Sequence, residues 1–138
     1  MSVEMKSWNQ QIMDEFRANA GVVGGPFEGK PMLILHTTGR TSGKEVETPL
    51  VYLPDGDRMV VFASAGGSHE DPQWFRNLVA NPSVTVEVGT ETVAATATVV
   101  AGEARDALYA RQVAAMPQFA EYQEGNPRVI PAIALTRA

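Results

Sequence analysis

A chain of 138 residues with 44% hydrophobic content is long enough to bury one core without covalent staples. It has no cysteine, which excludes disulfides, thiolate catalysis and Cys-ligated zinc or iron–sulfur sites. The formal charge of −5 argues against general nucleic-acid binding. Neither a membrane-length apolar run nor a signal-peptide pattern is present, so a cytoplasmic protein is expected.

Residues 3–20 place Trp8, Ile12, Met13 and Phe16 at helical spacing, and Gly21 can end that helix. It is amphipathic with few cations, so packing on its own domain is favoured, with peripheral membrane association left open. A glycine-rich connector, 21–31, leads into strand-like runs at 32–38, 46–53 and 58–63. Pro49 cannot donate to a ladder and marks an edge or a bulge in the second run. A loop, 64–70, precedes a short helix with Asp71 as N-cap, Pro72 at its first position, and Trp74, Phe75, Leu78 and Val79 on its apolar face. Runs at 84–88 and 92–100 alternate cleanly and read as a hairpin. A helix over 104–116, a short segment at 119–123 and a last strand at 129–135 follow. About six hairpin-connected strands with helices in the gaps imply an α+β fold: a single small antiparallel barrel with helical cover over residues 1–138.

The segment His36-Thr37-Thr38-Gly39-Arg40-Thr41-Ser42-Gly43-Lys44 joins two of these strands. Its glycines permit a sharp turn and close approach to a ligand, while its hydroxyls and cations offer donors to an anion. It is not a Walker A loop, because only three residues separate the glycines and a strand follows. A plain polar hairpin loop explains these residues equally well. The stretch Ala63-Ser64-Ala65-Gly66-Gly67 repeats the theme at another strand end, before a helix start. Together the two loops suggest a site for a long anionic ligand with a planar head. His36, in an apolar strand, reads as a structural histidine. His69 with Glu70 and Asp71 reads as solvated loop, with no metal expected, and Ser64 has no histidine partner for a hydrolytic triad.

Four motifs in this order resemble the deazaflavin (coenzyme F420)-dependent nitroreductase family of actinobacteria. They are Thr38-Gly39-Arg40-x-Ser42-Gly43, Thr48-Pro49-Leu50-Val51, Phe62-Ala63-Ser64-x-Gly66-Gly67 and Pro72-x-Trp74-x-x-Asn77-Leu78-x-Ala80-Asn81-Pro82. The resemblance runs from about Pro31 onward and implies a split β-barrel of the flavin-reductase type. It implies that Arg40, Thr41, Ser42 and Lys44 hold the phosphate and oligoglutamate tail. It places Val46, Glu47, Thr48, Pro49, Leu50 and Val51 along the deazaflavin, with Phe62, Ala63, Ser64, Ala65, Trp74, Arg76 and Asn77 completing the cofactor site. Met116, Phe119 and Tyr122, three apart on one helical face, would cover the acceptor. Thr41 and Ala65 stand where the family often has lysine, leaving Arg40, Lys44, Arg58 and Arg76 as candidate tail cations.

The implied activity is hydride transfer from reduced F420 to an electron-poor quinone, nitroaromatic or enone, with Tyr122 donating a proton or orienting the acceptor. The alternatives are an FMN-binding oxidoreductase on the same barrel, or a non-enzymatic binder of a planar anionic ligand such as a tetrapyrrole. No nucleic-acid partner is expected, and a monomer and a homodimer both fit.

Overall fold

The computed structural model describes residues 7–138, so the expected start of the first helix lies outside the described residues. Helix α1 spans Trp8–Ala18, with the Ser7 hydroxyl accepting from the Gln10 amide at 3.1 Å as its N-cap. Seven antiparallel strands follow: β1 Met32–Thr38, β2 Glu45–Val51, β3 Leu53–Asp55, β4 Arg58–Phe62, β5 Ser83–Val88, β6 Glu91–Val100 and β7 Ala132–Arg137. Helix α2, Gln73–Ala80, lies between β4 and β5; α3, Gly102–Ala115, and α4, Gln118–Gln123, lie between β6 and β7.

The strand order is β2-β1-β5-β6-β7-β4-β3. The expected 46–53 strand is therefore two strands, because the chain crosses at Tyr52 from one edge of the sheet to the other. That single-residue link forces the sheet to curl until its edges meet, which makes a barrel. Beyond Tyr52 the edges diverge, and β2 pairs only with β1. Pro49, opposite Ile34, thus sits on an edge strand, the place in a sheet that tolerates its missing donor.

Period-two alternation sorts the side chains. Leu33, Leu35, Met59, Val61, Val84, Val86, Ala95, Ala97, Ile133 and Leu135 fill the barrel, and α2 plugs it with Trp74 and Leu78. On the outside, α1 covers Met32 and Ile34 with Ile12, Met13 and Phe16. Helices α3 and α4 cover Val60, Phe62 and Ala132 with Leu108, Tyr109, Met116 and Phe119. The first helix thus packs on its own barrel, as its pattern implied, except that Trp8 remains 59% exposed. The last strand begins at Ala132 rather than 129, since Val129 is exposed and Pro131 has no amide to donate.

Candidate functional site

The two glycine-bearing loops lie at the same end of the barrel. Strand β1 ends and β2 starts there, with Thr38 opposite Glu45, and β4 ends beside the start of β7, with Phe62 opposite Ala132. In the first loop the Gly39 amide donates to the Lys44 carbonyl at 2.8 Å and the Gly43 amide to the Gly39 carbonyl at 2.9 Å. Gly43 takes φ +69, which favours glycine, and a Cβ on Gly39 would fall 2.4 Å from the Ser42 Oγ, which would have to move. Ser42 Oγ accepts from the Lys44 amide at 3.2 Å. The side chains of Arg40, Thr41, Ser42 and Lys44 are exposed.

Helix α2 fixes this loop. Asn77, 4% exposed, accepts from the Arg40 amide at 3.2 Å and reaches the Thr37 hydroxyl at 3.5 Å. The Arg40 guanidinium donates to Gln73 Oε1 at 2.7 Å. Arg76 lies three residues after Gln73 and shares its helical face. Lys44 and Arg76 have no ion pair among the described residues, so with Arg40 they leave this end rich in available positive charge. Arg58 does not belong here. It opens β4 at the opposite end of the barrel, where it pairs with Asp55, so it cannot serve the tail site.

The β2 residues divide between two faces. Val46, Thr48 and Leu50 lie opposite Thr37, Leu35 and Leu33 and face the barrel interior. Glu47, Pro49 and Val51 lie opposite His36, Ile34 and Met32, toward α1. The Glu47 side chain is held by Arg17 of α1 at 2.6 Å. A planar ligand on the inner face would therefore meet the side chains of Val46, Thr48 and Leu50. The other three could offer it only edge-strand backbone.

The second loop is a short turn, 64–68, in which Ala65 takes φ +48 and Gly67 φ +90. Ser64 and Ala63 are buried, as is Trp74, so these contribute walls and backbone more than reach. Tyr122 lies beside this turn. A Cβ on Gly67 would lie 3.4 Å from both Cα and Cδ1 of Tyr122.

The three expected acceptor residues do not share one helix. Met116 caps α3 and accepts from the Gln112 side-chain amide, whereas Phe119 and Tyr122 sit on α4 with ring centroids 5.0 Å apart. Pro117 breaks the helix between them. Met116 and Phe119 are buried, 6% and 5% exposed, with Phe119 edge-on to Phe62 and its carbonyl accepting from the Tyr109 hydroxyl. Tyr122 alone of the three is partly accessible.

Three residues here carried no local signal in the sequence: Gln73, Asn126 and Arg128. Arg128 Nε donates to the Ser68 carbonyl at 3.0 Å, one terminal nitrogen to the Ser64 carbonyl at 3.1 Å, and the other to Asp71 at 3.0 Å. Asp71 is consequently not the N-cap of α2; Pro72 takes that position without a side-chain cap.

On the outer face of the sheet, toward α1, His36 sits among carboxylates. Its Nε2 lies 2.6 Å from Glu87 and its Nδ1 3.0 Å from Glu45. Ligand atoms of His36, Glu47 and Glu87 lie within 4.8 Å of one another, but Arg17 bonds both carboxylates at 2.6 Å and supplies the cation itself. Burial works to lower the His36 pKa, yet the hydrogen bonds and charges of Glu87 and Glu45 outweigh it and raise it above 6.5. Glu87 is held down to about 2 by its Arg17 hydrogen bonds, against burial and with help from His36. An apolar groove of about 470 Å³ lies elsewhere, lined by Phe75, Val99, Gly102, Arg105, Val129 and Pro131 among others.

A split antiparallel barrel with donor-rich loops gathered at one end is the architecture of cofactor-binding split-barrel oxidoreductases. A solved structure described as an F420-H2 dependent reductase, FDR-A, matches with a TM-score of 0.70 at 35% identity, covering 76% of this chain and 93% of that one. Another, described as a domain-swapped dimer, matches with a TM-score of 0.72 at 31% identity over 91% of this chain and 94% of that one. The chain belongs to the F420H(2)-dependent quinone reductase family, which it matches over residues 8–137. Among relatives, the F420H(2)-dependent quinone reductase Rv1261c of Mycobacterium tuberculosis is 36% identical over 128 residues, 88% of this chain and 85% of that protein.

Proposed function

We propose that this protein is an F420H2-dependent quinone reductase, whose cofactor tail is held by Arg40, Lys44, Ser42 and Arg76 and whose ring lies along the inner face of β2. The carrying observation is the docking of the first loop on α2, through Asn77 to the Arg40 amide and Gln73 to its guanidinium. The residues present fit the cofactor. Exposed cations and hydroxyls at the loop tip suit an anionic tail, and Val46, Thr48 and Leu50 offer an apolar bed for a planar ring. When bound, reduced F420 supplies a hydride, which is consistent with the lack of an acid–base pair in this part of the chain.

The protein's own work is then to bind, orient and exclude water. Trp74 and Leu78 close the barrel beneath the site, and the turn at 64–68 would line it with backbone. Tyr122, partly accessible beside that turn, would face the acceptor, its hydroxyl either donating the completing proton or orienting the substrate. We further read residues 1–138 as one split-barrel domain, because strands from β1 to β7 share a single sheet. The relative solved as a domain-swapped dimer supports a homodimer over a monomer, which light scattering would decide.

The test is parallel titration with F420, FMN and biliverdin, followed by steady-state menadione reduction with F420H2. F420 should bind most tightly and support turnover. Tighter FMN binding, or biliverdin binding without turnover, would replace this reading with a flavin enzyme or a non-enzymatic binder.

A further inference from the structure

The Arg128 guanidinium spans two pieces of the candidate site that are seven residues apart in the chain. It holds the Ser64 carbonyl where the turn begins, the Ser68 carbonyl where it ends, and Asp71 just before α2. Its side chain is only 14% exposed. Asn126 adds to this grip, its side-chain amide reaching the Gly67, Ser68 and Tyr122 carbonyls at 3.3, 3.0 and 3.3 Å. Asn126 Oδ1 in turn accepts from the Arg128 amide at 3.1 Å, which links the two residues. A second network fixes the segment that carries them: Gln123 accepts from Arg105 at 2.6 Å and from the Ile130 amide at 2.9 Å, and donates to the Arg128 carbonyl at 2.9 Å.

A non-glycine residue at positive φ persists only where its surroundings over-determine it, and Ala65 at φ +48 lies inside this grip. The turn's carbonyls are drawn inward to Arg128 and Asn126. From Asp71 the connection continues along α2 to Gln73 and Asn77, and so to the Arg40 loop.

We infer that Arg128, seconded by Asn126, is the positioning residue of the cofactor site, presetting the turn, the start of α2 and Tyr122 in one arrangement before the ligand arrives. The inference rests on the reading of this end as the F420 site. A planar guanidinium can serve three acceptors in a fixed fork, whereas a lysine ammonium at the same place serves Asp71 as a point charge. The role is therefore one of geometry rather than charge, and Arg128→Lys separates the two.

The experiment measures hydrogen exchange across residues 63–73 and F420 dissociation constants for wild type, Arg128→Lys, Asn126→Ala and Asp71→Asn, with thermal melts. Arg128→Lys should accelerate exchange in that segment by about tenfold or more while β5 exchange stays at the wild-type rate. It should weaken F420 binding on the order of tenfold to a hundredfold. Asn126→Ala should move both readouts in the same direction by less, and Asp71→Asn, which keeps an acceptor, should move them least. Rescue of both by lysine, or unchanged exchange in Arg128→Lys, would reduce Arg128 to a structural ion-pair partner. Faster exchange with an unchanged F420 constant would overturn the positioning role alone. Failure of the wild type to bind F420 would remove the site itself, and the positioning role with it.

Discussion

Arg40 contributes through two different atoms groups: its amide is locked to Asn77, while its exposed guanidinium rests on the neutral Gln73. A neutral partner yields easily to a phosphate or carboxylate, so Arg40→Ala should lose about 1.5–3 kcal/mol of F420 affinity, the worth of a hydrogen bond to a charged group. The loss should shrink in high salt, and an unchanged dissociation constant would take the loop out of the site. Tyr122→Phe should leave F420 binding unchanged within error. A proton-donating hydroxyl predicts that kcat and kcat/KM fall together by about 10²-fold or more, and an orienting one predicts a smaller loss mainly in KM. The His36 cluster gives a pH signature. Because its pKa is raised above 6.5, its stabilisation is complete below that pH and is lost as pH rises through the folded value. Glu87 works the other way: held at about 2 against an ordinary 4.5, it contributes above 4.5 and ceases to as pH falls toward 2. The Tm advantage of wild type over His36→Gln should thus be greatest between these limits and narrow above pH 6.5; a constant difference would sink the assignment.

At the scale of elements, the short α4 is anchored by burial rather than by its own propensity, since six residues are too few to hold a helix alone. Phe119 supplies that anchor among Phe62, Tyr109 and Tyr122. Phe119→Ala should accordingly cost about 3–5 kcal/mol of stability in denaturant titration, the range for a buried aromatic. An acceptor wall, by contrast, would raise KM and leave stability alone. Strand and helix positions were legible in the sequence in two ways: the β5–β6 hairpin and α1's apolar stripe declare their period, and β1, buried on both faces, reads as a short continuous apolar run. The 46–53 run was not legible as two strands, because its composition is continuous and only the curl of the sheet divides it at Tyr52. Arg128 was invisible for a different reason. Its partners are carbonyls and a carboxylate 57–64 positions away, and such contacts leave no local pattern.

On the scale of the whole molecule, three apolar clusters share one curled sheet: one inside, one under α1 and one under α3 and α4. Antiparallel pairing and a barrel followed from short links between strands. The order of the sheet did not, because the inward faces of β5, β6 and β7 are all small or branched aliphatics that would suit several neighbours. Proline at 49 was informative because it restricts a strand to an edge, and β2 is an edge.

The place of β7 has a consequence for how the barrel closes. This strand is the last of the seven in chain order yet lies between β6 and β4, pairing with both. Without β7 in place, the sheet is two hydrogen-bonded pieces, β2-β1-β5-β6 and β4-β3, joined through Tyr52 and each with an apolar face open to solvent. Barrel closure is therefore governed by contacts distant in sequence, and refolding should be slow for a domain of this size, in the millisecond-to-second range of such topologies. A chain stopped after Pro131 should show no cooperative thermal transition. A sharp melt in that truncated chain would mean that the two halves can find each other without their keystone.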